Sequence, residues 1–224
     1  MGLGAAPQAV AAAVRLGPAR LATTRLAIFP LPGAILFPGL QLPLHIFEPR
    51  YRTLVGSALA RDRRIAMIQP QTAIEGAPLY AIGCVGKIGE VEALDDGCYN
   101  IVLQGEARFR VLREIDVATP FRQVEAELLD EREDEVLSSA ERASFERESR
   151  VFADLQGYAI DWDSVERLDD ASLINGVSQI APFDAAAKQA LLEAPNLRTR
   201  CELLVQLMQF FGRSDPDEGQ VTLQ

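Results

Sequence analysis

The sequence predicts an α+β fold in which a small β barrel with one inserted helix is followed by a small helical bundle. From Leu26 to about Asp130 the segments are short, rich in Val, Ile and Phe, and bounded by Gly and Pro, which is typical of strands and turns. From Ser138 to Phe211 the apolar residues recur at helical spacing instead. The 224 residues are enough to bury a substantial core.

The clearest strand pattern lies between Gln41 and Phe47, where apolar residues alternate with Gln41, Pro43 and His45. This period of two predicts a half-buried strand, and Pro43 predicts an edge position or a bulge. A helix is predicted next, because Pro49 suits a first helical turn. Its apolar stripe recurs at i, i+3, i+4, i+7 and i+8 and consists of Tyr51, Leu54, Val55, Ala58 and Leu59.

Further strands complete the predicted barrel. Ile65–Gln69 resumes the sheet, and Tyr80–Ala93 and Cys98–Leu103 form a hairpin around an Asp-Gly turn. Arg108–Glu114 and Arg122–Asp130 are the last two predicted strands. Three glycines in the first hairpin strand indicate bends that curl the sheet: Gly83, Gly86 and Gly89.

Four helices are predicted in the second half, each from its N-terminal cap. Ser138 and Glu141 form a capping box that begins the first helix. Asp170, Asp184 and Asn196 are the predicted caps of the next three. The short connections between these helices favour a small antiparallel bundle.

Composition divides the chain into four parts. Residues 1–25 are rich in Ala and contain no acidic residue, so we expect a poorly ordered extension, with an organelle transit peptide as the alternative. Residues 26–135 form the barrel domain and end in the charged junction Asp130–Glu135, and residues 136–212 form the helical subdomain. Residues 213–224 are polar and are expected to be a disordered tail.

The charge and the rare residue types exclude several classes of site. With 22 basic and 32 acidic residues the net charge is −10, which disfavours binding to nucleic acid. One histidine and three widely spaced cysteines predict no metal site, and no cofactor is expected. The cysteines are typical of reduced, buried thiols in a cytoplasmic protein. No apolar stretch approaches the roughly 20 residues that cross a membrane.

Enzyme chemistry is not predicted either. Gly86-Lys87 is the only Gly-Lys pair, and Ala81 and Ile88 replace the glycine and the hydroxyl residue of a phosphate-binding loop. His45, the only histidine, is expected on an exposed or partner-covered strand face and has no placed nucleophile. We therefore expect a protein that hydrolyses neither ATP nor polypeptide.

Five arginines surround the predicted helix that begins at Pro49. They are Arg50, Arg52, Arg61, Arg63 and Arg64. A solvated helix face with cations near its C-terminal end explains them, and docking of an acidic partner is the alternative.

Four segments are characteristic of one known family. The most specific is FPLPGAILFPGLQLPLHIFEPRY, from Phe29 to Tyr51. The other three segments are the glycine-rich Gly83–Val91, YNIVLQGEARFRV (Tyr99–Val111) and KQALLEAPNLRTRCELLVQLM (Lys188–Met208). With these segments the chain resembles the Lon substrate-binding domain family over nearly its whole length. The resemblance implies a PUA-like β pseudobarrel followed by helices.

The resemblance implies a non-catalytic polypeptide-binding protein, because in full-length Lon this region selects unfolded or tagged polypeptides and helps the enzyme to oligomerise. Neither the ATPase motif nor the peptidase motif of Lon is present, so an adaptor or regulator of proteolysis in protein quality control is implied. The implied partners are client polypeptides, a protease or chaperone, and further copies of the chain, with no nucleic acid and no membrane. An RNA-binding PUA-like protein and a metal-independent hydrolase are the alternatives.

We expect peptide binding at the loop Leu31–Leu40 and at the strand face near Phe47. Phe37 precedes a Pro-Gly turn that could hold its ring at the surface, and Phe47 lies opposite the predicted core face. Arg50 and Tyr51 are the other candidate contacts, although the apolar stripe favours a core position for Tyr51. The alternative is that helices cover both Phe rings.

Overall fold

The computed structural model describes residues 23–129 and 136–213. The predicted extension up to residue 22, the junction at residues 130–135 and the predicted tail from residue 214 lie outside the described residues. Residues 23–25, predicted to belong to the extension, already form part of the first strand. The six strands are β1 (Thr23–Pro30), β2 (Gln41–Ile46), β3 (Arg64–Ile68), β4 (Ile82–Ala93), β5 (Tyr99–Ile115) and β6 (Gln123–Leu128).

Five of these strands close into a barrel, which confirms the predicted architecture. The sheet order is β2-β5-β4-β3-β1-β6, and a further pairing of β6 with β5 closes the ring. β5 has 17 residues and is long enough to pair with both β2 and β6. Tyr99–Gln104 pair with β2, and Phe109–Ile115 pair with β6. β2 lies outside the ring at the edge of the sheet, as Pro43 predicted.

The segments predicted as two separate strands, Cys98–Leu103 and Arg108–Glu114, belong to the single long β5. Its pairing with β4 shifts register between Val85 and Gly86 and again between Ile88 and Glu90. These bulges absorb the curvature of the barrel, so the strand bends without ending.

Six helices complete the described fold. They are α1 (Pro49–Leu59), α2 (Ser139–Leu155), α3 (Trp162–Val165), α4 (Asp170–Ile180), α5 (Ala185–Glu193) and α6 (Leu197–Arg213). The sequence did not predict α3, because four residues are too few to show helical periodicity. Within the two described stretches, no helix has both the length and the hydropathy needed to cross a bilayer.

The helix caps agree with the sequence except at α4. The Ser138 hydroxyl accepts from the Glu141 backbone N–H, and the Glu141 carboxylate accepts from the Ser138 N–H, so the capping box is present. The cap of α4 is Asp169, not Asp170, because the Asp169 carboxylate accepts the Ser172 N–H at 2.8 Å. Asp170 instead accepts a hydrogen bond from Arg142 at 2.7 Å.

The loop Leu31–Leu40, here called the bridging loop, joins the barrel to the helices. Gly86 and Gly105 are cross-strand neighbours on β4 and β5, and the missing side chains leave room for Leu36 and Phe37. Phe37 enters the same hydrophobic cluster as residues of α2, α4, α5 and α6. The centre of the bridging loop, residues 35–37, is therefore buried, with Leu36 in the barrel core and Phe37 against the helices.

Candidate functional site

The structure places Phe37 in the interior, so its expected surface position is wrong. Its side chain is 0% exposed. Its backbone N–H donates to the Gln179 side chain on α4 at 3.1 Å, and the Arg200 guanidinium lies 5.6 Å from its ring centroid. Gly86 and Gly105 have no side chains, so the bridging loop packs closely against the barrel, and the helical half then covers the Phe37 ring. Phe37 cannot contact a peptide in this fold.

Tyr51 and Arg50 form a contact pair at the start of α1. Tyr51 is 6% exposed and its ring centroid lies 4.1 Å from that of Phe29, so the core position favoured by the apolar stripe is correct. Burial raises the pKa of the Tyr51 hydroxyl. The Arg50 guanidinium lies 4.7 Å from the Tyr51 ring centroid and pairs with Glu48 and Glu75. Both residues thus have partners within the fold.

Phe47 differs from the other three candidates because its ring is 62% exposed. It follows β2 and stacks on His45, with 6.1 Å between the ring centroids. Pro43 and His45 are exposed, whereas Ile46 is buried and Leu42 and Leu44 are partly buried. The expected orientation of this strand is therefore correct, and Phe47 continues its solvent-facing side.

Two rows of side chains extend this surface across β5 to β4. In the first row, His45 Nδ1 lies 2.8 Å from Asn100 Oδ1, and Asn100 Nδ2 donates to Glu92 at 2.8 Å. In the second row, Pro43 is the register partner of Val102, and Val102 of Glu90. We call this surface the outer face and define it as Pro43, His45, Phe47, Glu90, Glu92, Asn100 and Val102.

A shallow groove of about 370 Å³ runs along the outer face. Pro43 and Val102 contribute apolar surface to its lining, and Glu90 and Glu92 are the charged residues that line it. The groove thus combines apolar surface with negative charge, and the exposed Phe47 ring lies beyond it on the same side of β2. This arrangement suits a ligand with apolar and basic groups.

A ligand on the outer face would contact mainly side chains, because the neighbouring edge of β2 has few free backbone groups. The Leu40 carbonyl accepts from the Gly105 N–H at 2.8 Å, so the backbone groups of residues 41, 43 and 45 point away from β5. The Gln41 carbonyl already accepts from the Gln179 side chain at 2.8 Å, and Pro43 has no N–H. Of these three residues, His45 alone presents both an outward donor and an outward acceptor, so addition of a further strand is disfavoured.

The described cysteines and acidic residues do not form a reactive or metal-binding site. Cys84, Cys98 and Cys201 are buried and unlinked. Burial raises the pKa of the Cys201 thiol to about 11, which keeps it protonated and unreactive at neutral pH. Over the described part of the chain, no three His, Cys, Asp or Glu residues are grouped so that they could hold a metal ion.

Sequence reasoning missed Glu90, Glu92 and Asn100 as members of the site. A signal was present, because Asn100 and Val102 alternate with the apolar Ile101 and Leu103 in a predicted strand. The register that aligns them with His45 and Pro43 comes from pairing between segments more than 50 residues apart, and no local pattern encodes it.

Comparison with known proteins assigns the family. Residues 25–209 match the model of the ATP-dependent protease La (LON) substrate-binding domain. Lon protease of Escherichia coli strain K12 is 24% identical over 203 residues, which are 87% of this chain and 26% of the relative. Lon protease 1 of Syntrophobacter fumaroxidans is 28% identical over 193 residues, 82% of this chain and 23% of the relative. The chain thus spans about a quarter of the length of these relatives.

Two solved structures share the fold. The Lon N-terminal domain protein from Xanthomonas campestris aligns with a TM-score of 0.64 and 22% identity, over 82% of this chain and 98% of that protein. The N-terminal domain of the Mycobacterium avium complex Lon protease has the same TM-score of 0.64 at 19% identity, over 83% and 98% of the two chains. From the family match and the shared architecture, this chain belongs to the Lon substrate-binding domain family.

Proposed function

We propose that this protein binds unfolded or flexible polypeptide segments on the outer face, without catalysing a reaction, and acts as an adaptor or regulator of proteolysis. The observation that carries the proposal is Phe47, an aromatic ring that is 62% exposed on the same side of β2 as the groove of the outer face. Exposed aromatic rings are typical anchors of protein interfaces, because burying one on binding removes a large apolar area from water. Membership of a substrate-binding family supports the same role.

The charge of the outer face defines the preferred client segment. Glu90 and Glu92 line the groove, and the whole chain carries a net charge of −10. An acidic segment would be repelled, whereas a Lys or Arg beside an aromatic or aliphatic residue would meet both the carboxylates and the Phe47 ring. The client segment is therefore apolar and basic.

The test is a peptide-binding titration with purified protein variants. A fluorescent, unfolded peptide that alternates Phe or Leu with Arg should bind the wild type. It should bind Phe47→Ser at least about tenfold more weakly, or roughly 1.4 kcal/mol. The thermal midpoint of Phe47→Ser should barely move, because substitutions on the surface cost within about 0.5 kcal/mol.

Leu112→Ser is the matched control, since Leu112 is 50% exposed on β5 but lies outside the outer face. It should keep full binding. A double Glu90→Gln, Glu92→Gln variant should lose affinity for the basic peptide and bind a neutral analogue unchanged. Equal binding by the wild type and Phe47→Ser would overturn the proposal.

The non-catalytic part of the proposal has its own measurement. Casein and ATP incubated with the purified protein should remain intact over hours. Cleavage of either that follows the 24.5 kDa protein through every purification step would contradict this part.

A further inference from the structure

A second groove lies at the opposite end of α1 from Phe47. It has a volume of about 490 Å³ and runs between the C-terminal end of α1, the start of β3, β1 and the segment before β6. The buried residues Leu26, Ala58, Ala66 and Phe121 give it an apolar floor. Arg25, Arg61 and Arg64 stand around that floor, and we call the site the arginine groove.

The three arginines differ in how far their charge is already neutralised. Arg64 donates to Glu106 at 2.6 Å and is paired. Arg25 donates to the neutral side chain of Gln123 at 2.6 Å, so no carboxylate offsets its charge there. Within residues 23–129 and 136–213, the Arg61 side chain has no hydrogen bond or ion pair. Asp62 is the acidic residue in the lining, so the groove keeps an excess of positive charge.

We propose that the arginine groove docks an acidic segment of a polypeptide partner. Guanidinium groups bind carboxylates through charge-assisted hydrogen bonds, and the apolar floor can take an aliphatic side chain next to the acidic residue. The groove is a positive site on a chain of net charge −10, so the charge contrast with the rest of the molecule favours an acidic segment at this groove.

The same features favour a peptide over a nucleic acid. Phe121, the aromatic residue of the lining, is 5% exposed and offers no face for base stacking. The groove is also compact, whereas single strands are usually tracked by extended basic channels.

With the proposed function, on which this inference rests, the outer face and the arginine groove are two distinct sites, and each binds a different kind of polypeptide segment. Phe47 precedes α1 and Arg61 follows it, and the eleven residues of this helix give it a length of about 16 Å. The outer face selects a basic, apolar segment and the arginine groove an acidic one, so two polypeptides can be held at once. That is the arrangement an adaptor between a client and a second protein requires.

The test uses a fluorescent peptide of Glu, Asp and Leu residues and the full-length protein. The wild type should bind it, and binding should weaken as salt is added. Arg61→Gln should bind about three- to tenfold more weakly, and Arg61→Glu weaker still, at an unchanged thermal midpoint. Arg147→Gln is the matched control, because Arg147 is an exposed arginine on α2, and it should bind like the wild type.

Three results would overturn the inference: no binding of the acidic peptide, equal binding by wild type and Arg61→Glu, or tighter binding of a single-stranded RNA that is lost in Arg61→Gln. Phe47→Ser separates this inference from the proposed function, because it should leave acidic-peptide binding intact. If the basic peptide binds through Phe47 and the acidic peptide does not bind, the arginine groove fails alone.

Discussion

Gly105 lies so close to the bridging loop that a β-carbon on it would come within 2.2 Å of the Phe37 carbonyl oxygen. No real side chain tolerates that distance, so glycine at this position allows the bridging loop to lie flat on the barrel. The same contact places the Phe37 ring under the helices. The close approach at Gly105 is therefore one of the contacts that make Phe37 a core residue and not a surface anchor.

Gly105→Ala should destabilise the protein by about 1–3 kcal/mol or more, since the backbone of the bridging loop would have to move. A lower midpoint of unfolding in urea would show it. Gly89→Ala is the control, because its β-carbon would meet its nearest neighbour, the Val102 carbonyl oxygen, at an ordinary 3.7 Å. Equal midpoints for the two variants would contradict the role of Gly105.

Phe37→Ser should cost about 3–5 kcal/mol, because it removes a fully buried ring and leaves a cavity between the barrel and the helices. Thermal unfolding followed by circular dichroism measures the loss. Phe47→Ser is the same change at a 62% exposed position and should leave the midpoint almost unaltered. A stable Phe37→Ser protein would mean that the ring is not in the core.

Tyr51→Ala should destabilise by a similar 3–5 kcal/mol, since the Tyr51 ring packs on Phe29 in the barrel core. Tyr51→Phe keeps the ring and should retain most of the stability. If Tyr51→Ala instead loses peptide binding at an unchanged melting temperature, Tyr51 is a peptide contact.

Arg108→Met should loosen the helices from the barrel. Arg108 is 4% exposed on β5 and donates to the Leu192 and Ala194 carbonyls, at 2.9 and 2.5 Å. Each hydrogen bond from a charged group contributes about 1.5–3 kcal/mol, so loss of both should lower the free energy of unfolding measurably. Arg110→Met, two residues along, removes an exposed pair with Glu127 and should cost less than about 1 kcal/mol. Similar losses from both variants would refute the anchoring role of Arg108.

Asp169 predicts a loss of stability in acid. Hydrogen bonds from the Ser172 hydroxyl and the Ser172 backbone N–H hold the pKa of the Asp169 carboxyl below its usual value of 3.8. The folded state therefore keeps the carboxylate at a pH where the unfolded chain takes up a proton. The resulting stabilisation is complete at neutral pH and declines as the pH falls below about 5.

Asp169→Asn retains an oxygen that can cap α4 but removes the titrating group. The wild type should be more stable than this variant at pH 7, and the difference should shrink in urea unfolding series taken towards pH 3. A difference that stays constant over this range would show that Asp169 does not contribute to the acid sensitivity.

The local patterns of the sequence were sufficient for most of the elements, although not for the short α3 or for the continuity of β5. Alternation over Gln41–Ile46 predicted β2 and its exposed side, and the stripe through Tyr51 predicted the buried face of α1. Capping chemistry located the N-cap of α2 at Ser138. These predictions succeeded because each depends on residues within one or two turns or one strand, where periodicity and hydrogen bonding are local.

The tertiary structure decided which side chains face water and which residues share a site. Phe37 directly precedes Pro38, and Phe47 precedes Glu48-Pro49, so their local sequences are similar. Phe37 is nevertheless 0% exposed, whereas Phe47 is 62% exposed. The difference comes from packing between segments far apart in the chain: Gly105 beneath the bridging loop, and Gln179 and Arg200 above it. The outer face likewise exists because β5 pairs with both β2 and β4, and the arginine groove because α1, β1, β3 and the segment before β6 meet in the fold. The sequence by itself determined most of the elements and the resemblance to the family, and long-range packing determined the continuity of β5 and the composition of the site.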